Sequence, residues 1–322
     1  MARKVICIAR QDDIHADAVL DFCSQRGADL IRFDVSSVFR GGSNFKIEIE
    51  QSRPTWAFTL GSHCVSGDDD IAIFCRDWEI PQVASSDDLE QCVRNEETRN
   101  FLNAWAGLVR SSRWIDHPVQ QSQWDNKLLQ TALAQFIGFK TPKTIATNEP
   151  EMVRSFAGTN RVVIKQLSNI AFDGLDHEDE FVFTTPINPH HLEFSDEIAN
   201  CPVLVQERIE KIADLRVTVV GCDIFPALIH SNRECGPLDI VDFRALPEEL
   251  IERTTIPNSV SDFILEMMRR MDLRFAAFDF GLTEEKDCVF FEANVSGNWL
   301  WIEHATGLQI SAAVANLLMT IQ

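Results

Sequence analysis

Short apolar runs separated by polar turns dominate the first third of the chain: Val5 to Ala9, Asp29 to Phe33, Lys46 to Ile49, Trp56 to Leu60 and Ile71 to Phe74. Runs of this length, bounded by turn residues, predict buried strands. Between the first two, His15 to Gln25 carries apolar residues at helical spacing and closes on Gly27, which predicts an amphipathic helix. Strand, helix, strand is an α/β opening. Asp87 to Val109 predicts one or two helices, and Pro118 with the Gln-rich stretch after it marks a boundary near Ser111 to Gln123.

Beyond that boundary, Leu128, Leu129, Ala132, Leu133, Phe136 and Ile137 fall on one helical face, and Gly138 stands where a helix ends. Arg161 to Lys165 is a β-branched strand, followed by the loop Gln166 to Gly174 and a predicted hairpin around Phe181 to Thr184. Val203 to Glu207 predicts a strand. Leu215 to Val220 then turns through Gly221-Cys222-Asp223 into Ile224 onward as a hairpin. A helix from Ser261 to Met271 precedes a second hairpin, Phe275 to Leu282 and Cys288 to Ala293, joined by the polar turn Thr283 to Asp287. Gln309 to Met319 predicts a closing helix.

Composition narrows the function classes. At 322 residues the chain exceeds one ordinary domain, and 45% hydrophobic residues supply more than one core. A net charge of −20 with no long basic block excludes nucleic acid as the expected partner. The nine cysteines include no C-x-x-C pair and no zinc spacing, which predicts reduced thiols and a cytoplasmic location. No apolar stretch has the length of a membrane span, and Met1 to Val5 runs straight into a strand. The first βα loop lacks G-x-G-x-x-G, so dinucleotide binding has no support there. Tyrosine is absent, which excludes it as a general acid or base.

The last hairpin carries the sharpest chemical signal. It brings Asp279 near Glu292, and Asn294 follows Glu292 by two residues and so faces the same side of the strand. Carboxylates inside strands flanked by Phe278, Phe280, Phe290 and Phe291 need a cation or a donor. Hard oxygen ligands that leave positions open for water and phosphate describe nucleotide-bound magnesium. Lys127, in the first turn of its helix, opposes the helix dipole and asks for an anion, although a solvated lysine is the plainer reading of that residue alone. Lys165 ends a strand, as an anion ligand or as an edge-strand gatekeeper. Arg216 lies inside an apolar strand and needs an acidic partner, with Asp214 and Asp242 as the nearest structural candidates.

With these residues in place, the chain from about Trp114 onward resembles the ATP-grasp superfamily, and within it the microviridin-type graspetide synthetases, relatives of the ribosomal-protein glutamate ligase. The resemblance rests on the order and spacing of Trp114-Ile115-Asp116-His117-Pro118, Asn126-Lys127-Leu128, Val163-Ile164-Lys165, Gln206 to Lys211, Asp214 to Val217, Asp242-Phe243-Arg244, Phe291 to Asn294 and Gly297 to Glu303. It implies an α/β chain of ATP-grasp fold: a pre-ATP-grasp α/β domain over 1–115, a central α+β domain over 116–202 and a carboxy-terminal α+β domain with the metal site over 203–322. It implies that Lys127 and Lys165 hold ATP phosphates, that Gln206, Glu207 and Ile209 form the adenine hinge, and that Asp214 binds ribose. Asp279, Glu292 and Asn294 then hold magnesium. In the first domain, Phe74-Cys75-Arg76-Asp77 departs from the tryptophan- and tyrosine-bearing segment of many relatives.

The implied reaction activates Asp or Glu side chains of a ribosomally made precursor peptide as acyl phosphates. A hydroxyl or amine of the same peptide then closes an ester or amide ring. Such chemistry needs charge neutralisation more than covalent help, which suits Arg216 and Arg244 as clamps on the transferring group. Asp242, His230 and Glu303 are the candidate general bases near by. The resemblance places leader-peptide docking at Gln166 to Thr185 and leaves room for a homodimer. Two other readings share the same nucleotide site: a ligase that joins free amino acids or extends a peptide tail, and a non-catalytic nucleotide sensor. Retained metal ligands speak against the sensor.

Overall fold

The computed structural model describes residues 2–35, 38, 43–50, 53–60, 62–78, 89–159, 161–167, 185–186, 195–230 and 250–321. Asp242 and Arg244, the hairpin expected at Phe181 to Thr184 and most of the expected leader-docking segment lie outside the described residues.

The first strands form a parallel sheet. β1 (Lys4–Ile8) lies between β2 (Asp29–Phe33) and the later strand Ile71–Cys75, in the order expected when a helix returns the chain to the same sheet edge. That helix, α1 (Ile14–Gln25), is capped by Asp13, whose Oδ1 accepts from the Ala16 N–H at 3.0 Å. Three antiparallel strands intervene: β3 (Ser43–Glu50), β4 (Arg53–Leu60) and β5 (His63–Ser66). The last was not legible as a strand, because its short polar sequence carries almost no periodicity. β6 (Ile71–Cys75) is buried along its whole length, as a central parallel strand must be. The predicted helical region resolves as one helix, α2 (Leu89–Leu108), whose Trp105 packs against Phe33, Trp56 and Phe58. β7 (Trp114–Ile115) returns beside β6 in parallel.

The Gln-rich stretch, read from sequence as a boundary, forms α3 (Pro118–Trp124), with proline in its first turn. α4 (Lys127–Ile137) begins on Asn126, whose side chain accepts from the Leu128 and Leu129 N–H groups, and ends at Gly138 with φ 89°. Its buried face corrects the expectation: Lys127, Gln130, Thr131 and Ala134 point inward, while Leu129 and Phe136 are exposed. The physical reason is Gln130, whose amide accepts from Ala293 N and donates to Ala293 O, both at 2.8 Å. A polar side chain thereby satisfies a sheet edge as a neighbouring strand would. β8 (Thr144–Thr147), α5 (Pro150–Thr159), β9 (Val162–Lys165), β10 (Thr185–Pro186), α6 (Ser195–Asn200) and β11 (Val203–Glu207) follow, the strands forming an antiparallel sheet in the order β10-β9-β11-β8.

The largest sheet runs β14-β13-β12-β15-β16, all antiparallel: β12 (Ala213–Val220), β13 (Asp223–Ile229), β14 (Ile251–Arg253), β15 (Phe275–Leu282) and β16 (Cys288–Asn294). Helix α7 (Asn258–Met271) buries Phe263, Ile264, Met267 and Met271 against Leu215, Val217, Val219, Phe278, Phe280 and Phe290 on one face. The period of two therefore turns Asp214, Arg216 and Asp279 to the other face.

That second face also carries Val220 and Phe275 into a core shared with β1 and α1, through α8 (Leu300–Thr306) and α9 (Ile310–Thr320). α8 was legible only as a motif. At the centre Trp299 is fully buried, with His15 edge-on at 4.6 Å and Phe275 at 5.2 Å. Burial, and behind it the charge of Arg76, hold the His15 imidazole at about 4, well below its ordinary 6.5. His15 stays neutral in the fold but takes up a proton when the chain unfolds below pH 6.5, so stability falls as pH drops from 6.5 and levels off below 4. Across that window His15→Gln will lose on the order of 3 kcal/mol less than the parent in urea titrations. Parallel curves would mean that the folded chain carries His15 charged.

Candidate nucleotide and metal site

The site grows from a cross-strand ladder. Arg216 on β12 sits opposite Asp279 on β15, which sits opposite Glu292 on β16. Arg216 Nη1 donates to Asp279 Oδ2 at 2.6 Å, and both side chains are almost fully buried. The partner of Arg216 is thus neither Asp214 nor Asp242, as its sequence neighbourhood suggested. Directly opposed residues across a sheet approach more closely than residues two apart along one strand. Asn294 Nδ2 donates to the same Oδ2 at 2.9 Å, and Glu292 Oε2 lies 3.3 Å from Lys127 Nζ. Lys127 is buried, so the reading of a solvated surface lysine does not hold. The anion that compensates it at the helix start is Glu292.

A β-bulge shapes this corner. Pairing shifts between Asp279 and Phe280, so Asp279 faces Glu292 while Phe280 faces Phe290, leaving Phe291 as the extra residue. Phe290 enters the apolar core, and Phe291 lies over Gly281 on the site face. A Cβ on Gly281 would come 2.5 Å from the Phe291 ring, which requires glycine there. Lys165 Nζ and Lys211 Nζ sit 5.1 Å and 5.7 Å from the centre of the same ring. Lys165 belongs to β9, which is flanked by β10 and β11, so it is not on a sheet edge and not a gatekeeper. Burial lowers the Lys165 pKa; Lys127 and Lys211 lower it further, against Glu292 and Asp279. Lys211 also pairs with the buried carboxylate of Asp214.

The expected hinge runs along β11 and its exit. Gln206 is buried, with Nε2 donating to Thr144 Oγ1 at 3.1 Å, and the Glu207 N–H donates to Lys143 O at 2.8 Å. Ile209 follows, half-buried, on the way to Lys211 and Asp214. Of the proposed bases, His230 contacts Glu252 at 2.9 Å, and Glu303 Oε2 accepts from both N–H and O–H of Ser311 at the start of α9. Neither is brought to the ladder by any described contact.

The donor set suits magnesium on two counts. Asp279 Oδ1 is buried with no partner, and its neighbour Glu292 brings a second carboxylate to the same corner. Burial raises the Asp279 pKa against the pull of Arg216, so a divalent cation would relieve a cost the protein now carries. No group of three or more His, Cys, Asp or Glu side chains among the described residues forms a metal cage.

No family model matches the sequence, and no curated protein does. Solved structures do. An ATP-grasp ligase associated with ribosomal peptide modification from Chryseobacterium gregarium, in complex with ADP and a leader and core peptide, is 26% identical, covers 99% of this chain and 97% of its own, and superposes with a TM-score of 0.85. The chain belongs to the ATP-grasp superfamily. The macrocyclase MdnC of Microcystis aeruginosa, bound with precursor peptide MdnA, is 24% identical, with 98% and 99% of the two chains covered and a TM-score of 0.82. A RimK-domain ATP-grasp protein of Sphaerobacter thermophilus, 14% identical, reaches a TM-score of 0.58 over 98% and 99% of the chains. The full-length likeness therefore runs to the peptide-modifying ATP-grasp branch, and it includes the amino-terminal domain, where the sequence resemblance was loosest. Three participants escaped sequence reading: Lys211, Phe291 as an aromatic floor, and Gln130 as the clamp on β16. Lys211 and Phe291 had a sequence signal, their places in the quoted segments Gln206 to Lys211 and Phe291 to Asn294, and Gln130 had none.

Proposed function

We propose that the chain is an ATP- and magnesium-dependent ligase that crosslinks the side chains of a ribosomally made precursor peptide through esters or amides. The observation that carries this reading is the cluster of Lys127, Lys165, Lys211 and Arg216 around Asp214, Asp279 and Glu292 on one sheet face. Cations in excess over carboxylates suit a polyphosphate with its metal. The likeness to a macrocyclase bound to its precursor supports the peptide as substrate.

Asp279, Glu292 and Asn294 would hold magnesium, Lys127 and Lys165 the phosphates, Gln206, Glu207 and Ile209 the base, and Asp214 the ribose. ATP supplies the γ-phosphoryl group that turns a peptide carboxylate into an acyl phosphate, and magnesium neutralises its oxygens. Arg216, with Arg244, steadies the charge that develops at the carboxylate, a planar fork gripping two oxygens at once. Burial and the neighbouring Lys127 and Lys211 lower the Lys165 pKa, so an anionic phosphate beside half-buried Lys165 would offset that cost.

With its precursor peptide, ATP and magnesium, the protein will remove one water mass per ring, and tandem spectra will lose fragment ions between the linked residues. Addition of an amino-acid mass would favour the free-amino-acid ligase, and nucleotide binding with no turnover the sensor. Lys165→Met will weaken nucleotide binding by about 10- to 100-fold, one charge-assisted contact being worth roughly 1.5–3 kcal/mol. Arg244→Met will spare affinity and slow single turnover by about 100-fold or more. The reverse pattern would exchange the two roles.

A further inference from the structure

The Phe74-Cys75-Arg76-Asp77 segment, where the chain departs from its relatives, has a use that the nucleotide site does not absorb. Arg76 follows the last residue of β6, and its N–H donates to Ile8 O at 2.8 Å, which anchors it at the ends of two buried strands. Its guanidinium is almost fully buried and spends every nitrogen. Nε donates to Asp13 Oδ2 at 3.1 Å, Nη1 to Ser296 O at 2.7 Å and Nη2 to Asn298 Oδ1 at 2.9 Å. The plane also lies 5.0 Å from the Trp299 ring centre.

Ser296 to Asn298 is the loop between the metal-ligand strand β16 and helix α8. It presses directly on the site. A Cβ at Gly297 would stand 2.8 Å from Arg216 Nη2, 2.9 Å from Ala277 Cβ and 3.1 Å from Asn294 Cβ. The carbonyl of Asn298 accepts from Arg216 Nη2 at 3.4 Å. One loop thus touches the arginine and a ligand of the proposed centre, and among the described residues Arg76, just past the end of β6, hydrogen-bonds its outer side.

We propose that Arg76 is a positioning residue, through which the amino-terminal sheet fixes the Ser296–Asn298 loop and with it the orientation of Arg216 and Asn294. Only a rigid fork with several donors serves three acceptors at once, so lysine is a poor substitute. The kinetic consequence rests on the ligase reading, whereas the loop's restraint does not. A displacement of about 1 Å at such a loop costs roughly 100-fold in rate without a matching loss of ground-state binding.

The test compares Arg76→Met, Arg76→Lys, Asn298→Ala and the Met/Ala double variant in the full-length chain. Single turnover of the precursor peptide will fall by about 100-fold in Arg76→Met and less in Asn298→Ala, and the double variant will be no slower than Arg76→Met, since both changes cut one link. ADP affinity without magnesium will stay within about twofold, because a misaligned Arg216 acts on the transition state. Amide exchange at Gly297, Asn298 and Trp299 will rise by about tenfold or more, with β1 and β6 unchanged. Additive rate losses, equal losses in affinity and rate, or unchanged loop exchange would each overturn the positioning role. If Arg76→Met does not fold, Arg76→Lys and Asn298→Ala carry the same comparison. If the parent leaves the peptide unmodified, the ligase reading falls, and loop exchange by itself decides the positioning role.

Discussion

Glu292→Ala will abolish crosslinking, by about 1000-fold or more, and will leave the chain folded. The side chain is one-fifth exposed, and its contacts are cations on the open face of the sheet, so its loss removes little packing. The fold should lose up to about 3 kcal/mol, because buried Lys127 loses its ion pair with Glu292. Binding will separate from chemistry. Lys127 and Lys165 lose the carboxylate that competes with phosphate, so ADP without magnesium will bind at least as well as to the parent. The gain from added magnesium will be lost. Calorimetric titration of ADP with and without magnesium, beside mass spectrometry of the peptide, reads both effects. Product formation at the parent rate would remove the metal assignment.

Arg216→Met has the second large effect, and here stability and turnover fall together. Its partner Asp279 is buried, and removing the guanidinium leaves a carboxylate whose remaining described hydrogen bond is to Asn294. Breaking such a pair costs about 3–5 kcal/mol near neutral pH. The sign with pH follows from Asp279. Its folded pKa is already raised by burial, and without Arg216 it rises further, so protonation rescues the variant. The unfolded aspartate is common to both chains, so the deficit relative to the parent is smallest below the parent's folded value of about 6 and widens as pH rises from there through the variant's higher folded value. Urea midpoints at acidic and mildly alkaline pH will show a deficit that widens with pH, and adding Asp279→Leu will recover much of the stability but none of the activity. A deficit independent of pH would mean that Asp279 is not the group left uncompensated.

The strands and helices that carry the site were legible in detail. Val203 to Glu207 and Phe275 to Leu282 have the boundaries expected from their apolar runs, and the turn at Gly221 lies where expected. Asp279, Glu292 and Asn294 were legible as a set because a hairpin is a local structure and its alternation needs no distant partner. The short strand His63–Ser66 and the helix Leu300–Thr306 were missed, being brief and stabilised by what they pack against.

The chain's own order thus determined most of the elements and the placement of Asp279, Glu292 and Asn294 together on one hairpin, both of which depend on spacing within a few residues. Tertiary structure decided which partner each charge takes. Arg216 pairs with Asp279 and Lys127 with Glu292 because strand register and helix docking place them opposite, over sequence separations that carry no periodic signal. The bulge at Phe291 leaves Phe290 in the core but turns both Phe291 and its neighbour Glu292 to the site, against the strict alternation that a flat strand would impose. Gln130 inverts the expected face of α4 because an unpaired sheet edge costs more than a few exposed apolar side chains. Such choices are settled by satisfying buried polar groups across the whole fold, and no local stretch of sequence contains both sides of that balance.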